Sequence, residues 1–148
     1  MTGVIILAAG GSSRLGQPKQ NLIFKGQTLL EHAVNSAQQS GCNPVVVVLG
    51  ANHDQISPLA GVTTLYNKAW DEGMASSIRT AIHELSKNAS VSNVIILLCD
   101  QPFVSAELLN AMRAKQMETG QPIVACTYNG TTGVPVLFDR TLFAELLL

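Results

Sequence analysis

Five short runs, Gly3–Leu7, Pro44–Leu49, Val62–Tyr66, Asn93–Leu98 and Ile123–Tyr128, limit the fold more than any other feature of the chain. Several are apolar from end to end. A strand with one wet face alternates apolar and polar residues, whereas one covered on both faces does not, and such strands belong to parallel sheets sheathed by helices. The intervening segments carry a helical period. Thr28-Leu29-Leu30-Glu31 is a capping box, and Leu29, Leu30, Ala33, Val34 and Ala37 form one stripe that stops at Gly41. Met74, Ile78, Ile82 and Leu85 recur at helical spacing, and Ser105 is placed to cap a third helix bearing Leu108, Leu109 and Met112, with Gly120 just past its end. Strands alternating with helices predict a three-layer α/β/α sandwich around a mostly parallel sheet. At 148 residues, 1–148 reads as one domain with enough chain to bury a core.

Composition narrows the function classes. Net charge is −1 and aromatic residues are only 5%, which argues against a polyanion-binding or base-stacking surface and so against a nucleic-acid partner. Cys42, Cys99 and Cys126 lie far apart, so neither a disulfide framework nor a thiolate zinc site is expected, and a reducing cytoplasm fits. The first apolar run is too short for a membrane span and follows no basic segment. Charged residues make up only 13%, which, with Leu146-Leu147-Leu148, points to self-association or a much-buried sheet.

The chemistry begins where the first run ends. Leu7-Ala8-Ala9-Gly10-Gly11-Ser12-Ser13-Arg14-Leu15-Gly16-Gln17-Pro18-Lys19 empties a buried strand into a loop suited to an anion. Gly10, Gly11 and Gly16 let the backbone approach a ligand, Ser12 and Ser13 add donors, and Arg14 and Lys19 add positive charge. The loop is not a Walker A loop, which needs Gly-Lys-Ser/Thr, and its glycines lack the spacing of the dinucleotide fingerprint.

Two more strand ends matter, because open α/β sheets bind ligands at the carboxyl ends of their strands. Asp100, in Cys99-Asp100-Gln101-Pro102, can accept hydrogen bonds from its own turn or hold a divalent cation. Next to an anion loop on the same edge, the cation is favoured. Cys99 is expected to be a core residue, since no histidine stands near it in sequence. His32, His53 and His83 show no metal spacing. After Val62–Tyr66, Ser76 and Ser77 fall in a first helical turn: Ser76 as an ordinary N-cap, or both as donors to a ligand. Trp70 is expected to pack rather than to stack on a base.

Leu7-Ala8-Ala9-Gly10, Ser12, Arg14, Gly16 and Pro18-Lys19 together resemble the signature loop of nucleotidyltransferases with a glycosyltransferase-A-like fold. Length and motif order look most like the molybdenum-cofactor cytidylyltransferases. The resemblance implies that Leu7, Ala8, Ala9, Gly10, Gly11, Ser12 and Ser13 line a nucleotide pocket and that Arg14 and Lys19 contact the triphosphate. It further implies that Asp100 binds Mg²⁺, that Ser77 lies against the nucleobase, and that Gln101, Pro102, Gly133 and Pro135 shape the acceptor side. The implied reaction is transfer of a nucleoside monophosphate to a phosphorylated acceptor of molybdopterin type, with release of pyrophosphate. Ala8-Ala9, where the guanylyltransferase branch has Ala-Gly-Gly, favours CTP over GTP. A cytidylyltransferase of isoprenoid or sugar-phosphate metabolism and a nucleotide-binding module without turnover are the alternatives; a second copy or a molybdoenzyme-maturation factor is the expected protein partner. Two departures stand out. Val134 occupies a position where the family carries a polar residue, and the chain stops before the family's Gly-Asp-x-Gly-like segment, leaving Asp71 and Asp139 as the only aspartates near a motif that could stand in for its acidic metal ligand.

Overall fold

The computed structural model describes residues 1–9, 21–51, 53–56, 59–101, 104–128 and 131–148. The large sheet contains β1 (Thr2–Ala8), β4 (Val45–Leu49), β5 (Thr63–Tyr66), β6 (Asn93–Leu98), β7 (Ile123–Tyr128) and β8 (Thr131–Asp139), in the order β5-β4-β1-β6-β8-β7. Strands β5, β4, β1 and β6 are parallel, whereas β8 runs antiparallel to both β6 and β7. The mostly parallel α/β/α sandwich expected from the apolar runs is therefore the architecture.

Burial explains why those runs fail to alternate. Every residue of β1 and β4 is buried, because helices cover both faces. On one face α1 (Leu29–Gln39) and α3 (Ala106–Thr119) enclose a core of Ile6, Val47, Leu97, Leu30, Val34, Leu109 and Met112. On the other, α2 (Met74–Leu85) and the short α4 (Phe143–Leu146) cover Ile5, Leu7, Val46, Val48, Ile82, Leu85 and Phe143. Edge strand β5 is mostly exposed.

The helix boundaries follow local chemistry. The Thr28 hydroxyl accepts from Glu31 N–H at 3.0 Å while the Glu31 carboxylate accepts from Thr28 N–H at 3.1 Å, completing the box. Ser105 accepts from Leu108 N–H, and Gly120 closes α3 with φ +68°. Met74 departs from its expected stripe by being exposed, whereas Ile82 and Leu85 are buried as expected and Ala81 joins them. A small hairpin, β2 (Ile23–Phe24) with β3 (Gln27–Thr28), turns through Lys25 and Gly26, both at positive φ.

Candidate active site

Four parallel strands place their carboxyl ends on one rim. From β1 the chain steps to β4 and then β5 on one side. It then crosses to β6 on the other side of β1, with α1 on one face and α2 on the opposite face. The reversal makes β1/β6 a topological switch point, where the diverging connections open a crevice.

Ala8 and Ala9, both buried, end β1 at that crevice. Leu7 pairs with Leu98, and Cys99 N–H donates to the Leu7 carbonyl at 3.2 Å, so Ala8-Ala9 and Cys99-Asp100 emerge side by side. Gly10, Gly11, Ser12, Ser13, Arg14 and Lys19 lie outside the described residues, as does Pro102. Cys99 is buried among apolar side chains, as expected of a core residue.

Asp100 is exposed on the turn after β6, so desolvation does not force a partner on it. Among the described residues no hydrogen bond or ion pair occupies its carboxylate, and no group of three or more His, Cys, Asp or Glu side chains could hold a metal alone. A carboxylate with no bond among the described residues, on the rim beside the end of β1, suits a hard cation that completes its shell with other oxygens and water; it does not suit zinc.

The far wall joins Trp70, Ser76 and Ser77 to two residues the sequence did not single out, Gly50 and Asn67. Gly50 follows β4, and a Cβ there would come within 2.6 Å of both the Ala9 carbonyl and the Trp70 Cβ. Only glycine permits that approach, which seats Trp70 against the core beneath the rim. Asn67 follows β5, is 6% exposed, and its N–H donates to the Leu49 carbonyl at 2.8 Å. Its side-chain amine donates to Ser76 Oγ at 2.8 Å and Ser77 Oγ at 2.9 Å, while its Oδ1 accepts from Ala69 N–H at 3.0 Å. Ser76 does not cap α2. Gly73 holds the N-cap position with φ +109° and no side-chain bond, and the Ser76 hydroxyl reaches back to the carbonyls of Ala69 and Gly73. The polar Asn between strand and helix was the available signal for this wall.

On the β8 side, backbone pairing between β6 and β8 stops at Ile96 and Val136. Beyond it the Gln101 carboxamide acts as the next rung: its Oε1 accepts from Leu98 N–H at 3.1 Å and its Nε2 donates to the Val134 carbonyl at 3.1 Å. Gln101 thus ties Gly133 and Pro135 to the end of β6. Val134 packs against the α2-side core. His53 stacks on Tyr66 with ring centres 4.0 Å apart, and His32 meets the Phe24 ring edge-on. A groove of about 410 Å³ runs between α3 and β7, lined by Leu108, Met112, Lys115, Val124 and Cys126.

Fold and rim together define an α/β domain with an open crevice at the switch point of a mostly parallel sheet. Residues 4–148 match the MobA-like NTP transferase domain, and the chain belongs to that family. It is 38% identical over 112 residues to the nicotine blue oxidoreductase of Paenarthrobacter nicotinovorans, covering 71% of this chain and 52% of that protein. The chain thus spans about half the length of that relative. It is 23% identical to the molybdenum cofactor cytidylyltransferase of Escherichia coli K12, covering 97% of this chain and 72% of that protein. Among solved structures, Rv0371c of Mycobacterium tuberculosis H37Rv superposes with a TM-score of 0.84 at 30% identity, covering 99% of this chain and 75% of that one. The same protein has been solved as a complex with manganese. Among the described residues, no helix is long and apolar enough to cross a membrane.

Proposed function

We propose that the protein transfers a nucleoside monophosphate, CMP from CTP, to a phosphorylated acceptor of molybdopterin type and releases pyrophosphate. The observation that carries this reading is the pairing of Leu7 with Leu98 and the Cys99 N–H bond to the Leu7 carbonyl, from which Ala8-Ala9 and Cys99-Asp100 leave the sheet side by side at the switch point. It sets the end of β1, from which the cationic loop continues, beside a carboxylate that makes no bond among the described residues. Family membership and the cytidylyltransferase relative support the reaction class.

In this reaction an acceptor phosphate oxygen attacks the α-phosphorus as the bond to the β-phosphate oxygen breaks, and the electron pair leaves with pyrophosphate. Such chemistry depends on position and charge more than on a covalent group of the protein. Arg14 and Lys19 neutralise the triphosphate; Leu7, Ala8, Ala9, Gly10, Gly11, Ser12 and Ser13 supply the close backbone and donors; Ser77 faces the base. Gln101, Pro102, Gly133 and Pro135 border the acceptor. Asp100 would hold the divalent ion, Mg²⁺, which supplies charge neutralisation to the phosphates when bound.

The test is release of pyrophosphate from each of the four triphosphates with Mg²⁺ and a molybdopterin acceptor. CTP turnover that depends on the acceptor is expected. CTP binding without turnover would favour a binding module, turnover with a sugar or isoprenoid phosphate would move the acceptor, and no binding of any triphosphate would end the proposal.

A further inference from the structure

From the hydrogen bonds around Asn67 we infer that this residue fixes the polarity of Ser77, turning its hydroxyl into an obligate donor that selects a hydrogen-bond acceptor on the nucleobase. The inference rests on the nucleotide reading above and names what the base must offer at that contact.

A serine hydroxyl is ordinarily ambiguous, able to donate one proton and to accept. Here the ambiguity is removed in three steps. Ala69 N–H can only donate, so the Asn67 atom facing it at 3.0 Å is the carbonyl oxygen Oδ1. The opposite end of the carboxamide is therefore the amine, whose two protons are both committed, one to Ser76 Oγ and one to Ser77 Oγ. Both hydroxyls accept from Asn67, so each must direct its own proton elsewhere.

The two serines then part company. Ser76 has the Ala69 and Gly73 carbonyls, each 2.9 Å away, to receive its proton. Ser77 has no acceptor among the described residues, although it is 97% buried by its 3% relative exposure. A buried donor without a partner costs free energy unless something supplies an acceptor. The hydroxyl stands in the first turn of α2, whose N-cap Gly73 contributes no side-chain bond. A base carbonyl oxygen or an unprotonated ring nitrogen satisfies Ser77, whereas an exocyclic amine or protonated ring nitrogen would set donor against donor. Asn67 itself is a positioning residue. Its buried N–H bond to Leu49 anchors the carboxamide to the sheet, and it acts through Ser77.

The experiment measures Mg²⁺-dependent binding of CTP and of inorganic tripolyphosphate, which has no base, to wild type, S77A, N67D and the double variant. In N67D a carboxylate faces both serines, drawing their protons inward and leaving Ser77 lone pairs toward the ligand. Both single variants are expected to lower CTP affinity about tenfold while leaving tripolyphosphate affinity unchanged. The double variant should be no worse than S77A, because Asn67 acts through the missing hydroxyl. S77A leaves the Asn67–Ala69 and Asn67–Ser76 bonds intact, so it keeps the inference falsifiable if N67D unfolds. Equal losses for CTP and tripolyphosphate, additive losses in the double variant, or full CTP affinity in S77A would overturn it while leaving the nucleotide reading in place. Failure of the wild-type protein to bind either probe would instead sink the nucleotide reading, and this one with it.

Discussion

The two ends of the sheet are built on opposite terms. At the amino end, loops are stitched down by charge and backbone. The Arg140 guanidinium donates to the carbonyls of Ser86, Asn88 and Val91, covering the carboxyl end of α2, while its own N–H bonds Ser92. The terminal ammonium donates to Ser90, and Asn93, Gln116 and Asp139 form a chain beneath β6. At the carboxyl end the same strands finish in small residues, a carboxylate with no bond among the described residues and a helix start without a side-chain cap. Among the described residues, the amino end bonds its charged donors to backbone carbonyls, whereas the carboxyl end leaves the Asp100 carboxylate and the Ser77 hydroxyl proton without a partner. Stability and binding should therefore respond to different mutations.

The sharpest separation comes from Asp100. D100N is expected to lower turnover with CTP about a hundredfold, roughly 3 kcal/mol of barrier, by weakening the charge balance on the phosphates. Its thermal midpoint should stay at the wild-type value because the carboxylate makes no structural bond among the described residues. A large fall in stability would break the contrast. G50A comes next. The added Cβ meets backbone at 2.6 Å, and overpacking against so rigid a neighbour is expected to cost about 3 kcal/mol, seen in chemical denaturation. Here binding and stability should fall together, since the rim itself is pushed apart.

R140A should do the reverse of D100N. Losing a charged donor to three carbonyls is expected to cost about 2 kcal/mol of stability while CTP affinity is kept. Smaller still is the cap of α1, where T28A should cost about 1 kcal/mol. Hydrogen bonds from Thr28 backbone and side chain, with a lesser contribution from His32, hold the Glu31 carboxyl below its ordinary range. A carboxylate whose folded pKa is depressed adds stability above its unfolded pKa and loses it as pH falls through the folded value. In E31Q that acid-side loss should shrink, visible as a flatter dependence of the unfolding midpoint at low pH.

The sheet was legible because burial on two faces leaves a plain signature: Val45–Leu49 and Val94–Leu97 have no polar interruption, and neighbouring caps at Thr28, Ser105 and Gly120 say where helices start or stop. The helix face of α2 was less so, since Met74 shares the period but sits at an exposed first turn. The two-residue strands around Lys25-Gly26 are too short to show alternation. At the rim, Asp100 could be picked out because a carboxylate after an apolar strand stands alone. Gly50 could not, because its role depends on Ala9, which adjoins it only once β4 is laid beside β1, and on Trp70; Asn67 offered only a polar residue between strand and helix, and its bonds to Ser76 and Ser77 depend on how the turn folds back on α2. Gln101 was expected to border the acceptor, and its position as a rung between Leu98 and Val134 depends likewise on where β8 runs.

The central claim is that one metal-bound triphosphate sits where β1 and β6 part. Backbone amide shifts measured while CTP and Mg²⁺ are titrated into labelled protein test it most directly. The account predicts changes concentrated at Ala8, Ala9, Cys99 and Asp100, with Asn93, Gln116 and Arg140 unmoved. Changes centred on the α3–β7 groove or on the Arg140 end, with the Ala8 and Asp100 amides silent, would contradict it.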